Sequence, residues 1–163
     1  RAHPPKVERN WKEKMNKKEN KLARNSALAA TADKEIVTKR GHRFDENVTL
    51  PVVIDDDFAR IKKTKEVIDV LEKIGVYSDV LRSAEGRHIR AGKGKMRGRK
   101  YRTPKSLLIV ATQETMKQGS QNLSGVDITH PQHLNIEHLA PGGIAGRLTV
   151  FTKTALTRIG GTK

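Results

Sequence analysis

The chain contains no cysteine. Disulfides and thiolate metal sites are therefore excluded, and the composition fits a cytosolic protein. It has no apolar run near the ~20 residues that cross a bilayer, and no signal-peptide core at its start. It also lacks an initiator Met: it opens Arg1-Ala2-His3-Pro4-Pro5, so we expect the natural chain to extend upstream. Acidic side chains are the next shortage, with 18 Asp and Glu against 33 Lys and Arg, a net charge of +15 over 163 residues. Such an excess repels itself, and a polyanionic partner is its most economical explanation. Apolar residues are few as well. Leu, Ile, Val and Phe number 38, just above the roughly 20 per cent level below which chains stay disordered.

Those residues are not evenly spread. Residues 1–43 carry net +8, 44–81 net −4, 82–105 net +9 and 106–163 net +2. In the 82–105 segment the sizeable apolar side chains are Ile89, Met96 and Tyr101, too few for a core. The core must come from 48–81 and 106–159. The division that follows is a basic helix with its connector at 1–43, and an α/β domain at 44–163 interrupted by a basic loop at 82–105.

Within the core stretches the pattern alternates. Leu50-Pro51-Val52-Val53-Ile54 and Leu107-Leu108-Ile109-Val110-Ala111 are short continuous apolar runs, the mark of strands buried on both faces. Val126-Asp127-Ile128 is a weaker strand, and Leu148-Thr149-Val150-Phe151 the last. From Thr64 the spacing of Val67, Ile68, Leu71 and Ile74 is helical, with Thr64 as N-cap and Gly75 as the left-handed stop. Pro131 opens a helix carrying Leu134, Ile136 and Leu139, closed by Pro141-Gly142-Gly143, and Thr154–Ile159 is a final short helix. Strands alternating with helices imply a mostly parallel sheet in a three-layer α/β/α sandwich. Ahead of it, Lys6 to about Ala32 reads as one long helix with an apolar stripe of Trp11, Met15, Leu22 and Ala29. A second stripe of Lys14, Lys17, Lys21 and Arg24 is either a solvated face or a contact for the polyanionic partner.

The segment richest in chemistry is Arg87-His88-Ile89-Arg90-Ala91-Gly92-Lys93-Gly94-Lys95-Met96-Arg97-Gly98-Arg99-Lys100-Tyr101-Arg102, flanked by Arg82 and Lys105. Arginine grips phosphate with a planar fork and lysine supplies a mobile point charge. Gly92, Gly94 and Gly98 let backbone come close to nucleic acid, and Tyr101 offers a ring for a base to stack on. Strands on both sides tether the segment as an internal loop, which argues against a floppy tail; charge alone does not separate it from a localisation signal. If about 6–10 phosphates are engaged, affinity falls on the order of 10³–10⁵ between 50 and 200 mM salt by the duplex-DNA rule. Free in solution, such a loop is expected to be mobile and to order on RNA.

Catalytic readings fail on spacing. The three glycines give G-x-G-x-x-x-G, one residue too long for a dinucleotide fingerprint, and neither Gly-Lys pair precedes Ser or Thr. His130, His133, Glu137 and His138 lie close in sequence without a compelling ligand set, and consecutive Asp55, Asp56 and Asp57 point different ways. No catalytic residue, metal ligand or cofactor site is assigned.

Several blocks resemble the archaeal and eukaryotic branch of the large-subunit ribosomal protein family L-four. They are Ala2-His3-Pro4-Pro5-Lys6, Arg90 to Arg99, Gly125-Val126-Asp127, Leu139 to Gly143, and Gly146-Arg147-Leu148-Thr149-Val150-Phe151-Thr152. The resemblance implies a structural, non-enzymatic constituent of the large subunit. It would bind and stabilise large-subunit rRNA beside neighbouring ribosomal proteins, in the cytoplasm, with no membrane and no small-molecule substrate. It also implies an upstream strand, helix and tunnel-reaching loop that this chain lacks, and an archaeal source. Gln118 to Leu123 lacks the family's usual Ala-Arg before Asn122, and Lys153-Thr154 replaces Glu-Ser. The competing reading from composition is an RNA-modifying or nucleotide-dependent α/β enzyme; a chromatin or membrane-surface protein shares the charge but not the motifs.

Overall fold

The computed structural model describes residues 2–113 and 116–160, so the last three residues of the expected 44–163 domain lie outside the described residues. Helices α1 (Lys17–Ala29) and α2 (Lys34–Lys39) come first, then strand β1 (Val52–Ile54). Helices α3 (Thr64–Ile74) and α4 (Tyr77–Glu85) follow, then the short strands β2 (His88–Ile89) and β3 (Tyr101–Arg102). The remainder alternates: β4 (Leu108–Val110), α5 (Met116–Ser120), β5 (Asp127–Thr129), α6 (Ile136–Leu139), β6 (Thr149–Thr152) and α7 (Lys153–Gly160).

Four strands form one all-parallel sheet in the order β1–β6–β4–β5. Every residue of β4 and β6 is buried, as central strands with both faces covered require. Successive side chains in a strand point to opposite faces, and the packing divides accordingly. Leu107, Ile109, Val150 and Val52 meet Val67 and Leu71 of α3, Val80 of α4 and Phe58. On the other face Leu108, Val110 and Phe151 meet Ala27 of α1, Leu139 of α6 and Ala155 of α7. The expected α/β/α sandwich is what the chain builds.

Several boundaries differ from the sequence reading, each for a local reason. Val53 of β1 is 45 % exposed; β1 is an edge strand covered on one face, not a doubly buried one. Lys63 rather than Thr64 is the N-cap of α3, and no side chain closes that end, while Gly75 does stop it in the left-handed conformation. The helix expected from Pro131 is two pieces, a 3-10 turn at Pro131–His133 and then α6. Asn135 separates them because it caps α6: its side chain accepts from His138 N–H, and His138 Nδ1 accepts from Asn135 N–H.

The N-terminal helix is the largest correction. It begins at Lys17, not Lys6, and Trp11, Met15 and Leu22 of the supposed stripe all stand in solvent. Residues 6–16 have no core to lie on, and a helix without tertiary contact does not recover its nucleation cost. Only the C-terminal end of α1 docks, through Ala27 and Leu28. Three further helices, α2, α4 and α5, are absent from the sequence reading. Asp33 caps α2 through Glu35 and Ile36 N–H, and α4 is hidden because its buried face includes Asp79 and Ser83.

Candidate nucleic-acid interface

The basic segment is not one loop. Its first residues, from Arg82 to Glu85, end α4, and β2 and β3 pair antiparallel with His88 opposite Arg102 and Ile89 opposite Tyr101. Arg90 N–H donates to Lys100 O at 2.8 Å, carrying the pairing one residue further. A 3-10 turn at Lys93–Met96 makes the tip. The segment is thus a hairpin, with β2 and β3 as its arms. Gly92 and Gly98 have φ of 78° and 77°, a region where a Cβ is strained. No atom lies within 4 Å of where a Cβ would sit at either. Gly94 is different: its φ is ordinary, and a Cβ there would press on the Arg90 side chain at 3.1 Å.

The cations of this segment fall into two groups. Lys93, Lys95, Arg97, Arg99 and Arg102 are exposed, and among the described residues no carboxylate or carbonyl holds their side chains. Arg90 gives only its Nε–H away, to Arg99 O at 3.1 Å. The Arg87 guanidinium lies 4.4 Å over the Tyr101 ring and the Lys100 ammonium 5.6 Å from it.

Arg82 and Lys105, at the foot of the hairpin, are committed inward. Arg82 Nε–H donates to Asp79 Oδ1 at 2.8 Å and its Nη2 to Lys105 O at 2.9 Å. Asp79, fully buried, also accepts from His42 Nδ1 at 2.9 Å and Arg43 N–H at 3.0 Å. Burial raises the Asp79 carboxyl, but the hydrogen bonds from His42, Arg82 and Arg43 together outweigh it and hold the group below the usual carboxylate range. Lys105 Nζ in turn meets both oxygens of Asp127 at 2.8 and 2.9 Å, and Asp127 Oδ2 lies 2.7 Å from Arg147 Nη2.

Arg147 is the centre of this foot. Its side chain is fully buried, and its guanidinium donates to the carbonyls of Ser106, Leu107, Gly125 and His138 at 2.9–3.3 Å. Burial lowers its pKa, opposed by the charge and hydrogen bond of Asp127. Asp127 itself is raised by burial and lowered further by Lys105 and Arg147, for a net shift downward. Gly125 completes the joint: its φ is +70°, and a Cβ would strike Pro104 O and Ser83 Oγ, each at 2.3 Å. Ser83 Oγ–H donates to Pro104 O at 2.6 Å and Ser106 N–H to Gly125 O at 2.9 Å. The two ends of the hairpin therefore leave the domain from a fixed point.

The other residues singled out lie elsewhere. Lys14 precedes α1, Lys17 and Lys21 are exposed on it, and Arg24 lines a small cleft with Pro131, Gln132 and Arg158. No hydrogen bond or ion pair among the described residues joins this group to the hairpin. The three aspartates have separate tasks. Asp56 caps α7, accepting from Thr154 N–H at 3.1 Å and Thr154 Oγ1 at 2.5 Å, while Asp55 pairs with Lys153 and Asp57 with Arg60. The hydrogen bond from Thr154 holds Asp56 below the usual carboxylate range. Among the described residues no three His, Asp or Glu side chains converge to hold a metal ion. His130, His133 and His138 border a cavity of about 210 Å³ beyond the ends of β4 and β5, smaller than the ~300–1,000 Å³ typical of ligand pockets. His130 Nδ1 accepts from Gln132 N–H.

Sequence reasoning gives no role to Ile89 and His88, which form the hairpin arm, and names Arg147 only within a family block, without its place in the foot. The period-two alternation on either side of the glycines is the available signal for the first two. Nothing local marks a buried arginine.

The chain matches, over residues 1–162, the model of the ribosomal protein L4/L1 family. Curated relatives called large ribosomal subunit protein uL4 include one from Thermoplasma acidophilum, 52 % identical over 155 residues that make up 95 % of this chain and 61 % of the relative. One from Methanocaldococcus jannaschii is 51 % identical over 98 % of this chain and 63 % of its own length, and one from Haloquadratum walsbyi 49 % over 98 % and 64 %. The chain therefore spans a little under two thirds of the relatives it matches.

Proposed function

Since this chain belongs to the ribosomal protein L4/L1 family, we propose that it is a structural, non-catalytic constituent of the large ribosomal subunit, where it binds and stabilises large-subunit rRNA during assembly. Its place is the cytoplasmic ribosome, its partners that RNA and adjacent large-subunit proteins, with no small-molecule substrate and no membrane. The observation that supports this best is the contrast within the basic segment: a hairpin fixed at its foot by internal ion pairs carries a tip of cations that meet no carboxylate among the described residues. Unpartnered, closely spaced cations on a folded support have polyphosphate backbone as their natural complement.

We assign Lys93, Lys95, Arg97, Arg99, Lys100 and Arg102 to phosphate, with Arg87, Arg90 and Tyr101 beside them. Gly92, Gly94 and Gly98 keep the tip's backbone within reach of RNA. Arg82 and Lys105 act one step back, by holding the hairpin's exit. Lys14, Lys17, Lys21 and Arg24 form a second, separate contact.

Replacing Arg97, Arg99 and Arg102 together by Gln tests this, with fluorescently labelled large-subunit rRNA fragments titrated at several salt concentrations. Removing one phosphate-bound cation reduces the slope of log affinity against log salt by about one, so the triple variant is expected to bind more weakly with a slope lower by about three. Affinity and slope equal to the parent's would overturn the assignment.

A further inference from the structure

The hairpin has two chemically different sides. Residues directly opposite in an antiparallel pair point the same way, and their neighbours point the other way. His88 and Arg102 therefore share one side, and Ile89 and Tyr101 the other. On the second side Ile89 is 54 % and Tyr101 49 % exposed, and the Arg87 guanidinium stacks at 4.4 Å over the tyrosine ring. Lys100 reaches round to 5.6 Å from the same ring. The result is a flat platform of one ring, one guanidinium and one aliphatic side chain, placed back to back with a cationic side a single strand thick.

An apolar protein surface fits this platform poorly, because it would bury Arg87 and Lys100 without an anion to meet them. A nucleotide fits both parts, since its base has a π face for ring and guanidinium and its phosphate answers the cations. A continuous duplex cannot use the platform, because its bases are stacked inside. We propose that the hairpin recognises RNA at a break in a helix, with the His88–Arg102 side on the backbone of the paired strand and the Arg87–Tyr101–Ile89 side under an unpaired base. This rests on the RNA-binding reading above and narrows its ligand from RNA in general to a duplex interrupted by at least one unstacked nucleotide.

The test uses the whole chain and three labelled RNAs: an uninterrupted duplex, the same duplex with one bulged purine, and a single strand of equal composition. Anisotropy is followed across a salt series. The parent is expected to favour the bulged duplex over the plain one by roughly 5- to 150-fold, the range for one base stack on an aromatic. Tyr101→Leu should erase that preference with the salt slope unchanged, and Tyr101→Phe should keep it. Arg102→Gln should lower the slope by about one on both duplexes and leave their ratio intact. A parent that does not distinguish the two duplexes overturns the inference while leaving RNA binding in place. So does a Tyr101→Leu variant whose preference is unchanged, as when a protein covers the platform, or one that loses the same factor on every RNA. Failure to bind any of the three RNAs would instead overturn the RNA reading as a whole.

Discussion

The cations at the foot of the hairpin and those at its tip are the same residue types, separated by a few positions, in opposite circumstances. Arg147, Arg82 and Lys105 each meet a carboxylate, the fully buried Asp79 or the partly buried Asp127. Lys93, Lys95, Arg97 and Arg99 meet none among the described residues. The difference teaches that a cation's role here is decided by whether a carboxylate has been folded into reach. The foot uses charge to hold a direction; in the proposed function the tip keeps its charge for RNA.

That division can be broken at either end. The largest effect is expected from Arg147→Met, which strips Asp127 of its buried partner and takes a donor from four carbonyls, of which Gly125 O and Leu107 O keep only their backbone N–H partners. Breaking a buried pair from one side costs about 3–5 kcal/mol, readable as a shift in urea denaturation; a variant as stable as the parent would mean that the foot is not structural. Asp79→Asn keeps the shape but loses the charge shared by His42, Arg82 and Arg43, and should cost about 1.5–3 kcal/mol in the same assay.

Acid should act on the foot and not on the tip. Asp79 and Asp127 titrate below their unfolded value, about 3.9 for a free Asp. Their contribution is complete above that value and is lost as pH falls through the folded pKa values, because the unfolded chain takes up protons first. Asp127→Asn should therefore lose less stability between pH 5 and pH 3 than the parent does, measured by denaturant midpoints; parallel curves would refute the linkage. Gly98→Ala sharpens the contrast at the tip. With open space around it but φ at +77°, it should cost only the backbone penalty of about 1–2 kcal/mol, seen as faster amide exchange in β2 and β3. The smallest effect belongs to the pair Arg97→Gln and Arg99→Gln, expected within about 0.5 kcal/mol of the parent in thermal unfolding. A larger loss would show that these side chains serve the fold.

Where a segment's energetics are local or strictly periodic, the chain can be read in advance. The apolar runs at 107–111 and 148–151 are buried as expected, α3 stops at Gly75, and the family resemblance carried by the motifs holds. What resists reading depends on partners distant in sequence. α4 hides its face behind Asp79, whose burial makes sense only with His42 folded against it from 37 residues away. The long N-terminal helix is over-read because Trp11 and Met15 look like a stripe until no core is there to receive them. In the candidate interface the composition of the tip is plain, but the hairpin and its two sides are not, because the alternation in Arg87 to Arg90 and Lys100 to Arg102 is obscured by the number of charges.

Strand β6 is both last in sequence and interior to the sheet, lying between β1 and β4. Val52 finds Val150, and Leu108 finds Thr149, only once residues 149 and 150 have been made. During synthesis β4 and β5 can pair first, whereas β1 joins them only through β6, so the sheet is completed late. The charged hairpin is therefore made after the Asp79–Arg82 half of its foot and before the Asp127–Arg147 half, and its direction is fixed only when the second half closes.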